Sequence, residues 1–165
     1  MTLISILPVT RMRKRRLAAW LFGIVLCGGE PVSSAAQALP PTEQKIREYV
    51  RAHEAEQIAF LEKAVNISSG TFNLQGVRAV GRLFEPEFSS IGFDAKWIAL
   101  PDAVGRAGHL FAERKGARGK RLLLIGHLDT VFEGEGERFV RLDTLAAGAG
   151  SSDMKGGDVV VLYAL

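Results

Sequence analysis

Two short stretches of this chain contain residue types that can bind a cation. His127 directly follows the apolar run 121–126 and stands two residues before Asp129. The second stretch, residues 148–158, is rich in glycine and contains Asp153. Neutral imidazole and ionised carboxylate are both common zinc ligands. The two stretches are therefore candidates for parts of one metal site.

The spacing of the first motif suggests how its residues cooperate. In an extended segment, side chains two positions apart lie on the same side, so Asp129 can accept the second ring N–H of His127. Asp153 precedes a helix predicted to begin near Gly156, where the helix dipole favours a carboxylate. Simpler explanations remain open. The His127 side chain can bond to nearby backbone at a strand end, and Asp153 can act as a helix cap.

The hydrophobic pattern predicts the elements that position these residues. Helices are expected at 43–65, with a possible break near His53, at 74–84, and from Gly156 onward. Thr42 is expected to cap the start of the first helix, and Pro86 is expected to end the second. Strands are expected at 93–100, 109–114 and 121–126. The last is apolar without alternation, which is typical of a strand covered on both faces. This is an α/β pattern, in which ligand sites lie at the carboxyl ends of strands.

The amino-terminal segment has the composition of a secretory signal. Five basic residues at 11–16 precede an apolar run at 17–26, and Ala36-Gln37-Ala38 provides a cleavage site. The apolar run is about ten residues, whereas a bilayer requires about 20. We therefore expect residues 1–38 to be a signal peptide and the mature protein, 39–165, to be periplasmic or secreted without a membrane span.

Charge and cysteine content exclude several classes of function. The net charge of +3 includes +4 from residues 1–38, so no nucleic-acid partner is expected for the mature chain. The single cysteine, Cys27, excludes an internal disulfide and a zinc site made of cysteines. A metal site in this chain must therefore use histidine and carboxylates.

The two motifs together resemble those of a known enzyme family. The sequence GHLDTVF at 126–132, followed by SSDMKGGD at 151–158, is similar to the co-catalytic zinc peptidases. That family includes glutamate carboxypeptidase, acetylornithine deacetylase and succinyl-diaminopimelate desuccinylase. The segment VNISSGT at 65–71 resembles the loop before these motifs in the glutamate carboxypeptidase branch. The likeness covers most of residues 45–165.

The resemblance implies a role for each motif residue. His127 would bind one zinc, Asp153 would bridge two Zn²⁺ ions in a complete site, and the catalytic residue Asp129 would orient His127. The family also commonly has a cis peptide after the bridging aspartate. The implied fold is a central mixed sheet flanked by helices. The implied reaction is hydrolysis of a peptide or N-acyl amino acid, and full-length relatives are expected to be homodimers.

The resemblance also predicts that parts of the site lie elsewhere. The family's Glu-Glu pair, a further acidic ligand and a late histidine would all follow Leu165, as would its smaller domain. We therefore expect an amino-terminal, truncated part of a catalytic domain that is inactive alone. Two alternatives remain: an inactive exported fragment that binds metal weakly, and an unrelated α/β binding domain with an accidental His-x-Asp.

Overall fold

The computed structural model describes residues 39–165. The predicted signal peptide lies outside these residues. The helices are α1 (Pro41–Ala52), α2 (Glu54–Val65), α3 (Leu74–Ser90) and α4 (Gly156–Ala164). The strands are β1 (Asp94–Ile98), β2 (His109–Glu113), β3 (Val140–Leu142) and β4 (Leu145–Ala147). None of the helices in this part of the chain has the length and apolar character needed to cross a membrane.

The first helical region is divided at His53, as the sequence predicted. His53 has φ −105° and ψ 8°, and it separates α1 from α2. The predicted cap at Thr42 is wrong, because α1 already begins at Pro41 and Pro40 occupies the cap position. Proline is well suited to the first helical position, since the N–H that it lacks has no partner within the helix there.

Helix α3 is longer than the sequence predicted. Pro86 was expected to end it, but the helix continues through Pro86 to Ser90. Proline removes one backbone hydrogen bond from a helix, so the continuation needs a compensating interaction. Phe84 and Phe88 provide it. Phe84 is buried, Phe88 packs against the core, and their rings stack with centroids 6.4 Å apart.

The apolar core lies among three helices. Phe60 and Ala64 of α2, Val80 and Phe84 of α3, and Val159 and Leu162 of α4 are its buried members. The rings of Phe60 and Phe84 meet edge to face at 4.9 Å. This packing fixes α4, and with it the turn that carries Asp153, against α2 and α3.

The described residues form two separate two-stranded sheets. β1 and β2 pair antiparallel, with Asp94 opposite Glu113 and Ile98 opposite His109. This hairpin was predicted. β3 and β4 also pair antiparallel, around a two-residue turn in which Asp143 has φ 53°. The second hairpin was not predicted, although aspartate is one of the residues that tolerate such a turn conformation.

The predicted central sheet is not seen in residues 39–165, although the fold is mixed α/β. Residues 121–126 form no strand there, and Leu122 and Ile125 are each 80% exposed. The prediction that this segment is covered on both faces is therefore wrong for the described residues. An apolar run becomes a buried strand only where neighbouring strands pair with it, and neither hairpin of the described chain does so.

Candidate metal centre

The structure brings His127 and Asp153 into direct contact. The two residues are 26 positions apart, and His127 Nε2 lies 2.9 Å from Asp153 Oδ1. His127 follows the exposed segment 121–126, and Asp153 lies in the turn between β4 and α4. Two groups that share one metal ion must be neighbours, and His127 and Asp153 are neighbours in this fold.

Asp129 contacts the other ring nitrogen of His127. Nδ1 lies 3.0 Å from the backbone oxygen of Asp129 and 3.4 Å from its carboxylate Oδ1. A carbonyl oxygen can only accept, so Nδ1 must carry a hydrogen to make the shorter bond. Asp129 therefore fixes the ring through its backbone oxygen, and its carboxylate is close enough to pair with a protonated ring. The simpler explanation, a histidine bonded to local backbone, thus describes only one side of this ring.

The two contacts of His127 together call for an additional positive charge. Nδ1 donates to Asp129, and a neutral imidazole has one N–H only. An ionised Asp153 carboxylate can only accept, so a neutral Nε2 would face it with a lone pair. Either a second ring proton or a cation shared by Nε2 and Oδ1 resolves this conflict. Burial lowers the pKa of His127, but hydrogen bonds to Asp153 and Asp129 outweigh it, so the pKa is raised above its ordinary value.

The backbone around Asp153 directs its carboxylate to His127 instead of α4. Gly150 has φ 77°, and its carbonyl accepts from the backbone N–H of Lys155 at 3.0 Å. Asp153 and Met154 are not helical, and the peptide bond between them is cis, as the resemblance predicted. No side-chain cap is seen at the start of α4. The alternative in which Asp153 serves as a helix cap is therefore not observed.

Two buried charged residues lie beside this turn. The Lys155 side chain is fully buried, and its Nζ donates to the carbonyl of Ile67 at 2.8 Å. Burial lowers the pKa of Lys155 to about 8. Asp158 is 8% exposed, and its Oδ2 has no hydrogen-bond partner among the described residues. Burial raises the pKa of Asp158 to about 6, although the nearby His127 lowers it somewhat.

Asp158 also explains the glycine that precedes the histidine. A Cβ on Gly126 would overlap with Asp158 Oδ1. Glycine therefore allows the backbone just before His127 to lie against the first turn of α4. Asp158 belongs to the second motif, but the sequence alone indicated no role for it.

Thr71 is a second residue for which the sequence alone indicated no role. Its Oγ1 donates to Asp129 Oδ2 at 2.7 Å, from a loop 58 residues earlier in the chain. The only sequence signal was the similarity of loop 65–71 to the corresponding family loop.

The other two histidines are engaged locally: His53 contacts the backbone oxygen of Tyr49, and His109 lies on β2 opposite Ile98.

The described residues form no complete metal site. Within residues 39–165, no group of three or more histidine, cysteine, aspartate or glutamate side chains is arranged to hold a metal ion. The pair His127 and Asp153 offers two donor atoms, whereas tetrahedral zinc takes four.

Comparison with known proteins gives a partial similarity in sequence. The chain is similar to a peptidase, which supports a relationship to a peptidase family at a coarse level. That relative is Carboxypeptidase G2 from Pseudomonas sp. (strain RS-16), with 34% identity over 120 residues. The aligned region covers 66% of this chain but 26% of the relative, so the chain spans about a quarter of that protein's length. No protein-family model matches the chain.

Proposed function

We propose that this chain contributes metal-binding residues to a zinc-dependent hydrolase of peptide or N-acyl amino acid amide bonds. The observation that carries the proposal is the contact of 2.9 Å between His127 Nε2 and Asp153 Oδ1, with Asp129 on the opposite side of the ring. A histidine fixed by a carboxylate residue at one nitrogen and free to bind a cation at the other is a recurrent arrangement in zinc sites.

The donor atoms fit one edge of a zinc tetrahedron. Bonds of about 2.0–2.2 Å at a tetrahedral angle separate two ligand atoms by roughly 3.3 Å. The observed separation of Nε2 and Oδ1 is 2.9 Å, so a shift of a few tenths of an ångström would admit the ion. Asp153 is well placed for such a shift because its side chain is 79% exposed.

Each residue then has a distinct task. His127 would hold the ion through Nε2, in the tautomer that Asp129 selects at Nδ1. Asp153 would hold it through its carboxylate. Zinc bound there would activate the amide carbonyl and the attacking water as a Lewis acid. The general base and the remaining ligands are not assigned to residues 39–165.

The substrate proposal follows from the comparison with known proteins. The similar protein is a carboxypeptidase by name, and a carboxypeptidase cleaves next to a free terminal carboxylate. We accordingly propose substrates that have an amide bond adjacent to an amino acid with a free carboxylate. Because the chain alone is expected to be inactive, the test uses the complete zinc-loaded hydrolase, which should cleave N-acyl glutamates or dipeptides faster than the same compounds with an amidated carboxyl terminus.

Zinc titration tests the site itself. The full chain, stripped with a chelator, should bind Zn²⁺ in a calorimetric titration, and His127→Ala or Asp153→Asn should weaken binding at least about 10-fold. His109→Ala, which removes an exposed histidine from β2, is the matched control and should bind as the parent does. Equal binding by all three variants would rule out this site.

We also propose that residues 1–38 direct export and are removed. The basic cluster, short apolar run and Ala36-Gln37-Ala38 support this proposal. Mass spectrometry of protein recovered from the cell envelope or the medium should show a chain that begins near Leu39. A mature protein that retains Met1 would contradict it.

A further inference from the structure

The loop that carries Thr71 is paired to the backbone that follows His127. The N–H of Thr130 donates to the carbonyl of Ser69 at 2.8 Å, and the N–H of Thr71 donates to the carbonyl of Thr130 at 3.0 Å. These bonds form a parallel bridge between Gly70 and Thr130. Thr130 is buried, so the bridge is shielded from water. The main chain alone thus places Thr71 beside Asp129.

Other contacts fix the same loop without using the Thr71 hydroxyl. Asn73 Nδ2 donates to the carbonyl of Ser68 at 2.9 Å, and Asn73 Oδ1 accepts from the N–H of Gly76 at the start of α3. Lys155, which belongs to the second motif, donates from Nζ to the carbonyl of Ile67. Removal of the hydroxyl should therefore leave the loop in place.

The hydroxyl of Thr71 has two possible acceptors and a single hydrogen. Oγ1 lies 2.7 Å from Asp129 Oδ2 and 3.2 Å from the carbonyl oxygen of Thr130. The bond to the carboxylate is shorter, and an ionised acceptor makes it stronger. With Oδ2 held by Thr71, Asp129 Oδ1 is the oxygen that remains 3.4 Å from His127 Nδ1.

We infer that Thr71 is a positioning residue for the metal site: its hydroxyl orients the Asp129 carboxylate, which in turn orients the His127 ring. The chain of contacts runs from Thr71 through Asp129 to His127, and ends at Asp153. This inference rests on the proposed function where zinc is concerned. The orientation of the ring by Thr71 is a property of the metal-free chain as well.

A pair of substitutions separates the hydroxyl from the shape of the side chain. Thr71→Val keeps the branched shape without the hydroxyl, and Thr71→Ser keeps the hydroxyl. In the full chain, Thr71→Val should weaken Zn²⁺ binding about 10–100-fold, as removal of groups behind a metal ligand commonly does. Thr71→Ser should bind within about 3-fold of the parent, because the donor is retained. Equal losses in both variants, or no loss in Thr71→Val, would overturn the inference.

A thermodynamic cycle tests whether Thr71 acts through Asp129. Once Asp129→Ala has removed the carboxylate, adding Thr71→Val should weaken zinc binding no further. Additive losses would show that Thr71 acts by another route and would overturn the chain of contacts. A parent chain that binds no zinc would instead contradict the proposed function.

Nuclear magnetic resonance of the metal-free chain tests the ring orientation independently. With ¹⁵N-labelled histidine, Thr71→Val should shift the ring nitrogen signals of His127 and leave those of His53 and His109 unchanged. Thr71→Ser should resemble the parent chain. An unchanged His127 signal in Thr71→Val would overturn the inference, whether or not zinc binds.

Discussion

Replacement of Asp158 by asparagine should make the chain less sensitive to pH. Asp158 is 8% exposed and its Oδ2 has no hydrogen-bond partner among the described residues. Ionisation inside the fold is therefore opposed by lost solvation, and the pKa rises from 3.8 to about 6. At 1.36 kcal/mol per pKa unit, this shift means that the fold disfavours the ionised form relative to the protonated form by roughly 3 kcal/mol.

The sign of the effect follows from proton binding. Between the two pKa values the folded chain binds more protons at Asp158 than the unfolded chain does, so stability falls as pH rises. The favourable contribution is complete below the unfolded pKa of 3.8 and is lost as pH rises through about 6. From pH 4.5 to 7.5, the loss amounts to about 2 kcal/mol.

Urea unfolding of the parent chain and Asp158→Asn, both in chelator, measures this quantity. The unfolding free energy of the parent minus that of Asp158→Asn should fall by about 2 kcal/mol between pH 4.5 and 7.5. Titration of the groups that do not interact with Asp158 cancels in the difference. Asp102→Asn, at an exposed position, should show no such change and controls for the lost charge. Parallel pH curves for the parent and Asp158→Asn would refute the argument from burial.

Three further predictions concern the packing around the site. Burial lowers the pKa of Lys155 to about 8, so the charged side chain destabilises the fold fully below pH 8 and less above it. The unfolding free energy of the parent minus that of Lys155→Met, measured in urea, should therefore rise by about 2 kcal/mol between pH 7.5 and 9.5. Phe84→Ala should lose about 3–5 kcal/mol of unfolding free energy, against less than about 1 kcal/mol for the half-exposed Phe111→Ala. Gly81→Ala should lower the thermal midpoint, because its Cβ would overlap the Trp97 ring; a rise, as Gly→Ala commonly gives in open helices, would contradict this packing.

Helices and strands could be predicted from the sequence where the local residue pattern alone decides the structure. Apolar residues at helical spacing predicted α2 and the first part of α3, and alternation predicted the β1–β2 hairpin. The two motifs nominated His127, Asp129 and Asp153, and the structure places these three side chains together. Their roles as zinc ligands and orienting residue remain predictions.

Long-range packing decided what the pattern could not. Pro86 locally opposes a helix, but Phe88 packs against the core beyond it, so α3 continues. Residues 121–126 have the composition of a buried strand, yet burial requires paired neighbours, and the described chain leaves Ile125 80% exposed. In both cases the local sequence favours one conformation, and contacts with distant residues determine which conformation forms.

The sequence by itself determined the chemistry that the site has available: one imidazole, two carboxylates, and glycines that let the backbone turn sharply. Only the tertiary structure joined Thr71 to Asp129 across 58 residues and buried Lys155 and Asp158 next to the site. The physical reason is that residue type fixes which bonds a group can make. Whether the group is desolvated, and which partner it meets, depends on chain segments that the local sequence does not specify.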